Sequence, residues 1–123
     1  MSQLTKDIYA ISSGFYEGIP VIYIEGDMTS ESDAEVKKVF HALTASMTME
    51  KLIINFEKTK YINSSGIATL ISIIQSVNEV HGGIAFVALS DHFRKVMDIV
   101  GITDFVRIFA TNREAFDGFT LSR

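Results

Sequence analysis

The residues best equipped for chemistry are two adjacent hydroxyls, Ser64 and Ser65, in the run Tyr61-Ile62-Asn63-Ser64-Ser65-Gly66-Ile67. An apolar, strand-like segment, Leu52 to Phe56, precedes the run, and a helical repeat of apolar residues from Ile67 to about Val80 follows it. The hydroxyls therefore fall at the N-terminal mouth of a helix, where backbone N–H groups lack partners and the field favours negative charge. A phosphate carried there would be held by the helix that presents it, so the run reads as a phosphoserine switch. Serines at helix starts are also ordinary caps, and the local sequence supports that reading as well.

Other constellations are missing. The chain has no cysteine, which removes a thiol nucleophile and a thiolate metal site and suits a cytosolic protein. His41, His81 and His92 are isolated, without the i, i+4 pairing of ligands, and read as surface residues. No GxxxxGK(S/T) or GxGxxG run signals a nucleotide cradle, and no G-x-S-x-G elbow surrounds Ser64. Glu25, Asp27, Glu31 and Asp33 carry enough charge for a cation, but they read first as a solvated loop and an acidic first helical turn. Lys58 and Lys60 either belong to an exposed loop or stand ready for a phosphate or an acidic partner. No catalytic, metal or cofactor site is expected, and the chain reads as a non-enzyme.

The elements that must position the serines follow from periodicity. Ile8 to Tyr16 is a first strand, Glu17-Gly18 a hairpin turn, and Gly18 to Ile24 a second strand with Pro20 at its edge or start. Ser32 with Glu35 has capping-box spacing, and Thr29 or Ser30 would start the helix a turn earlier. That helix turns Val36, Val39, Phe40 and Leu43 inward and ends near Ala45-Ser46. Leu52 to Phe56 and Ile84 to Leu89 are continuously apolar, as strands covered on both faces are. The helix after the serines points Ile67, Leu70, Ile71, Ile74 and Val77 to the core, with Thr69, Ser72, Gln75 and Ser76 on other faces, and Gly82-Gly83 ends it. Ser90 or Asp91 caps a helix with Phe93, Val96, Met97 and Val100 inward, closed by Gly101. Asp104 to Phe109 is a short last strand, and Thr111 or Asn112 opens a final helix with Ala115, Phe116 and Phe119. The predicted order is β-β-α-β-α-β-α-β-α, an α/β sandwich with helices packed on a mixed sheet and two right-handed βαβ units.

With 123 residues and 47% hydrophobic content, the chain is long enough for one domain over 1–123, with a core at about 8–116. A net charge of -4 argues against direct nucleic-acid binding, which needs a basic face. The start, Met1 to Asp7, shows no secretory signal, and no apolar run approaches the roughly 18 residues of a membrane span, so no membrane insertion is expected. The expected location is the cytoplasm.

Elements and motif together resemble the STAS domain family, and in particular its anti-sigma factor antagonists. In that family Asp-Ser-Ser/Thr-Gly-Leu/Ile follows a buried strand and opens a helix; here Asn63-Ser64-Ser65-Gly66-Ile67 stands in its place. Gly26-Asp27-Met28 is similar to the family's turn after the second strand, and Asp91 to Ile102 to its third helix and closing glycine. The resemblance runs from about Ile8 to Phe116. It implies an α/β class, a single STAS-like domain with a mixed sheet of about four to five strands and about four helices.

The resemblance also implies a function. An antagonist of this kind binds an anti-sigma factor that is itself a serine kinase using Mg-ATP. Phosphorylation of Ser64, with Ser65 the alternative, releases it, and a serine phosphatase restores it. The docking surface would comprise Asn63, Ser64, Ser65, Gly66, Thr69 and Ser72, with Asp27, Lys58, Lys60 and Tyr61 nearby. Two positions depart from the family pattern: Asn63 replaces the usual Asp, and Thr29 stands where Asp or Asn is frequent. A homodimer is a possible assembly. The alternative reading is a STAS interaction module without a phosphate switch, such as a small subunit of a lipid-transport or other membrane-associated complex.

Overall fold

A two-residue turn at Glu17 and Gly18, with φ of 50° and 85°, joins β1 (Tyr9–Tyr16) to β2 (Ile19–Met28) in an antiparallel hairpin. Positive φ at both turn residues matches the right-handed twist of the strands. The computed structural model describes residues 9–121. Ile8, assigned to the first strand, and the Met1–Asp7 start lie outside the described residues.

From β2 onward the chain winds through parallel crossovers. The remaining elements are α1 (Ser30–Ser46), β3 (Lys51–Asn55), β4 (Thr59–Ile62), α2 (Ser64–Glu79), β5 (Gly83–Val87), α3 (Asp91–Ile99), a 3-10 turn (Ile102–Asp104), β6 (Arg107–Phe109) and α4 (Asn112–Leu121). The sheet order is β1-β2-β3-β5-β6, with β4 also paired to β2, and only the β1–β2 pairing is antiparallel. This is the mixed α/β sheet that the sequence implied.

The continuous apolar strands are explained by burial on both faces. Ile22, Ile24, Leu52, Ile54, Ile84 and Phe86 join Val36 and Phe40 of α1, Leu70 and Val77 of α2 and Met97 of α3 in one cluster. The alternate residues Val21, Ile53, Ala85 and Val87 point the other way, onto Ala115 and Phe119 of α4. The sandwich therefore has helices on both faces of the sheet.

Several sequence expectations are corrected. β4 was absent from the predicted order: Lys60 and Tyr61 lie in a strand, not a loop. Gly26 to Met28 is the end of β2 and not a turn; the register shifts between Gly26 and Asp27, and Gly26 has φ of 81°. Of the two starts offered for α1, the earlier one at Thr29 is the one formed: the capping box is made by Thr29 and Ser32, and not by Ser32 and Glu35. The short last strand starts at Arg107, because Ile102–Asp104 forms the 3-10 turn after Gly101 (φ 84°). Val100 is exposed instead of inward.

The end of α2 also differs. The left-handed residue is His81 (φ 59°), while the His81 N–H donates to the Asn78 carbonyl and the Gly82 N–H to the Val77 carbonyl. That pair of bonds is a Schellman closure with a histidine in the usual glycine position. Gly82 is required for space, since a Cβ there would lie 2.2 Å from the Met49 carbonyl oxygen.

Candidate partner-binding site

The serine motif is positioned by one edge of β2. The first part of β2 pairs with β3 (Val21 with Ile53, Tyr23 with Asn55), and its last part pairs with β4 (Asp27 with Tyr61, Met28 with Ile62). β3 and β4 thus share that edge, bent by the Glu57-Lys58 turn. The bend is held by the Gly26 N–H on the Lys58 carbonyl (2.8 Å) and by the buried Thr59 hydroxyl on the Ile24 carbonyl (2.6 Å).

Asn63, just past β4, then does the work of starting the helix. Its N–H donates to the Met28 carbonyl (3.2 Å), its side-chain oxygen accepts the Gly66 N–H (3.1 Å), and its carbonyl accepts the Ile67 N–H (3.0 Å). Gly66 has to be glycine, because a Cβ would sit 2.4 Å from the Met28 carbonyl oxygen. Since Met28 directly precedes the α1 cap Thr29, the same contact sets the beginnings of α1 and α2 side by side.

The helix begins at Ser64, one turn earlier than the apolar repeat suggested, and the cap is Asn63. Neither serine is therefore the cap. Ser64 and Ser65 are the first two helical residues, whose N–H groups have no intrahelical partner. Ser64 is exposed, and its hydroxyl makes no hydrogen bond among the described residues. Ser65 is half-buried.

The face that α2 turns inward is also shifted. Gly66, Thr69, Leu70, Ile73, Ile74 and Val77 are buried, while Ile71, expected in the core, is 37% exposed. Thr69, expected on the docking surface, is only 2% exposed; that expectation is corrected. Its hydroxyl donates to the Asp33 carboxylate of α1, with the Ser65 carbonyl as a second acceptor nearby (3.1 Å). A threonine has one proton to give, and the carboxylate is the stronger acceptor. Asp33 also pairs with Lys37 at 3.5 Å.

Ser72 is exposed on α2, Lys60 and Tyr61 are exposed on β4, and Asp27, half-buried, lies opposite Tyr61 in the β2–β4 register. An open groove beside them is lined by Glu25, Asp27, Lys58 and Lys60. Sequence reasoning missed β4 and the Asp33–Thr69 link. The alternation of Thr59-Lys60-Tyr61-Ile62, rich in β-branched and aromatic residues, was the available strand signal.

No group of three or more His, Cys, Asp or Glu side chains gathers as a metal site among the described residues. His41, His81 and His92 are exposed. The pKa of Arg113 on α4 is raised, first by its hydrogen bond with Tyr16 and then by Asp117. Among the described residues no helix is long and apolar enough to cross a membrane.

A mixed sheet with helices on both faces, a helix opened by Asn63-Ser64-Ser65-Gly66 and an exposed first serine define the fold and its candidate site. The chain belongs to the STAS domain family, which matches it over residues 10–115. Its fold is similar to an anti-sigma factor antagonist from Mycobacterium paratuberculosis (TM-score 0.80, 16% identity, 91% of this chain and 94% of that one). It is also similar to the Bacillus cell fate determinant SpoIIAA in its phosphorylated form (TM-score 0.71, 21% identity, 89% and 99%). A sulfate transporter family protein from Wolinella succinogenes shares the fold too (TM-score 0.72, 16% identity, 82% and 84%). At these identities the likeness is one of fold. Sequence comparison with curated proteins gives no match.

Proposed function

We propose that this chain is an anti-sigma factor antagonist working by partner switching in the cytoplasm. Unphosphorylated, it binds an anti-sigma factor with serine kinase activity. That kinase transfers the γ-phosphoryl group of Mg-ATP to the Ser64 oxygen, the hydroxyl proton leaves, ADP departs, and the complex separates. A serine phosphatase reverses the step by hydrolysis. The chain itself catalyses nothing in this scheme.

One observation carries the reading: Asn63 caps α2, which leaves Ser64 exposed and unbonded in the first turn. A hydroxyl in use as the cap would have to leave the helix to be modified, and this one does not. Phosphorylation adds close to two negative charges at pH 7. The free N–H groups of the first turn and the helix dipole stabilise them in place. Docked against a partner, the same charge has to be desolvated without a matching cation, and each tenfold loss of affinity corresponds to about 1.4 kcal/mol. SpoIIAA, of like fold, exists in a phosphorylated form.

The test is site-resolved phosphopeptide mass spectrometry after incubation with lysate of the source cells, Mg-ATP and phosphatase inhibitors. Phosphate on Ser64, absent from an S64A control, is the expected result. S64A is expected to hold its partner permanently, and S64D to bind at least about tenfold more weakly. No phosphate, with a spiked substrate labelled normally, would overturn the switch. That outcome would favour the second reading, a constitutive STAS module in a membrane-associated complex. Two observations support that alternative: Asn63 where the family has Asp, and the shared fold of a sulfate transporter family protein.

A further inference from the structure

The exposed face of α2 has an unusual composition. Ser64, Ala68, Ile71, Gln75 and Asn78 follow each other at steps of three and four, so they share one face, and all five are exposed. Exposed faces of surface helices are normally charged, yet from Ser64 to Asn78 the helix has no Asp, Glu, Lys or Arg. Depletion of charge is the compositional mark of an interface core.

This strip runs into an apolar groove. Ile71, Gln75 and Asn78 form one wall, and Val100 and Phe105, from the end of α3 and the 3-10 turn, form the other. Buried Ile74 and Ile102 make the floor. Val100 is 47% and Phe105 65% exposed, which leaves a sizeable apolar surface in water. At a rise of about 1.5 Å per residue, the groove begins about 10 Å from Ser64.

Acidic residues stand within one or two positions of the groove's lining. Glu79, Asp98 and Asp104 are exposed and adjoin the lining segments. Arg107, also close in sequence, is committed elsewhere, over the Phe109 and Phe119 rings. Arg94 and Lys95 lie a turn ahead of Asp98 on α3. A second copy of this chain would bring the same acidic residues against its own, which disfavours self-pairing here.

From the charge-free strip, the groove and the acidic residues beside it we infer that α2 and the 3-10 turn receive a protein segment with an apolar anchor side chain bordered by Lys or Arg. Resting on the switch reading, this segment belongs to the same partner that covers Ser64, because strip and groove are continuous. The phosphate acts at one end of the footprint and the anchor at the other.

Two measurements on the full chain test this separately from the switch. In the first, the isotope-labelled protein is titrated with a synthetic amphipathic peptide of Leu, Phe and Lys, and with its Glu-for-Lys counterpart. The basic peptide is expected to shift the amides of Ile71, Gln75, Val100 and Phe105 saturably, and the acidic one to bind about tenfold more weakly or worse. Phe105→Ser, at an exposed position, is expected to weaken the basic peptide about tenfold with the remaining spectrum unchanged, and the pair D98K and D104K to reverse the charge preference. Equal response to both peptides, response elsewhere, no response, or self-association through this face would each overturn the inference.

The second measurement follows Ser64 phosphorylation by the kinase isolated through it. Phe105→Ser is expected to raise KM about tenfold and leave kcat unchanged. An unchanged KM would overturn the shared footprint. If wild-type Ser64 is never labelled, the switch fails, and the peptide titration still decides the groove.

Discussion

Asn63 shows how much one residue can organise. Its side chain caps α2, its N–H ties the cap to the end of β2, and its carbonyl begins the helical bonding. Asn63→Ala removes only the first of these, and the expected loss is about 1 kcal/mol in urea unfolding. Asn63→Asp keeps the acceptor and adds a charge that the helix N-terminus favours, so its stability should match or slightly exceed the wild type. Equal unfolding midpoints for wild type and Asn63→Ala would show that the cap contributes nothing. Three potential caps, Asn63, Ser64 and Ser65, stand in a row in the sequence. Which one serves is decided by the Met28 carbonyl, whose contact with Asn63 fixes where the helix starts, and by the close approach that leaves room only for Gly66.

For the elements, the telling pair is α1 and α2. They pack together, with the Thr69 hydroxyl on the Asp33 carboxylate as their polar link. Thr69→Val keeps the shape and removes the proton donor. Asp33 stays partly solvated and keeps Lys37, so the expected cost is modest, about 1 kcal/mol in thermal or urea unfolding. Partner binding is expected to be unaffected once the variant is folded, since Thr69 does not reach the surface. A variant as stable as the wild type would show that solvation of Asp33 replaces the bond fully. α2 also explains why its inward face was misread. Ile67, Leu70, Ile71, Ile73, Ile74 and Val77 spread over nearly half the helix circumference, wider than one contact stripe, so periodicity permits more than one inward face. The threonine was assigned to solvent by its polarity, whereas a part-buried carboxylate from α1 covers its hydroxyl.

In the whole molecule, the two-sided sheet makes α4 an integral layer. Phe119 packs over Gly83, where a Cβ would lie 3.1 Å from the ring, and contributes to the cluster with Val21, Ile53 and Val87. Phe119→Ala is expected to cost about 3 kcal/mol and to lower the unfolding midpoint in one cooperative transition. Loss of α4 signals alone, with the rest of the sheet intact, would show instead that the layer is an appendage. The net charge of -4 matters at this scale as well. A phosphate makes an acidic protein more acidic, so any basic partner surface gains long-range attraction while it loses the fit at Ser64. On the proposed switch, release has to come from local desolvation and bulk, and it should persist at high salt, where long-range effects are screened.

What the sequence determined by itself is the part governed by local pattern. Apolar runs of five or six residues marked β3 and β5, helical spacing with Ser90 and Gly101 marked α3, and Asn63-Ser64-Ser65-Gly66 between a strand and a helix marked the candidate site. Those signals depend on neighbours within a few positions, where backbone sterics and capping act. The tertiary structure decided what depends on residues far apart in the chain. The Thr59 hydroxyl on the Ile24 carbonyl spans 35 positions and helps hold β4 on β2; the Thr69–Asp33 bond spans 36 and turns a surface-type residue inward. The groove between Ile71 and Phe105 likewise exists only because α2 and the end of α3 settle on the same face of the sheet. Burial is a property of the assembled layers, and no window of sequence contains both sides of such a contact.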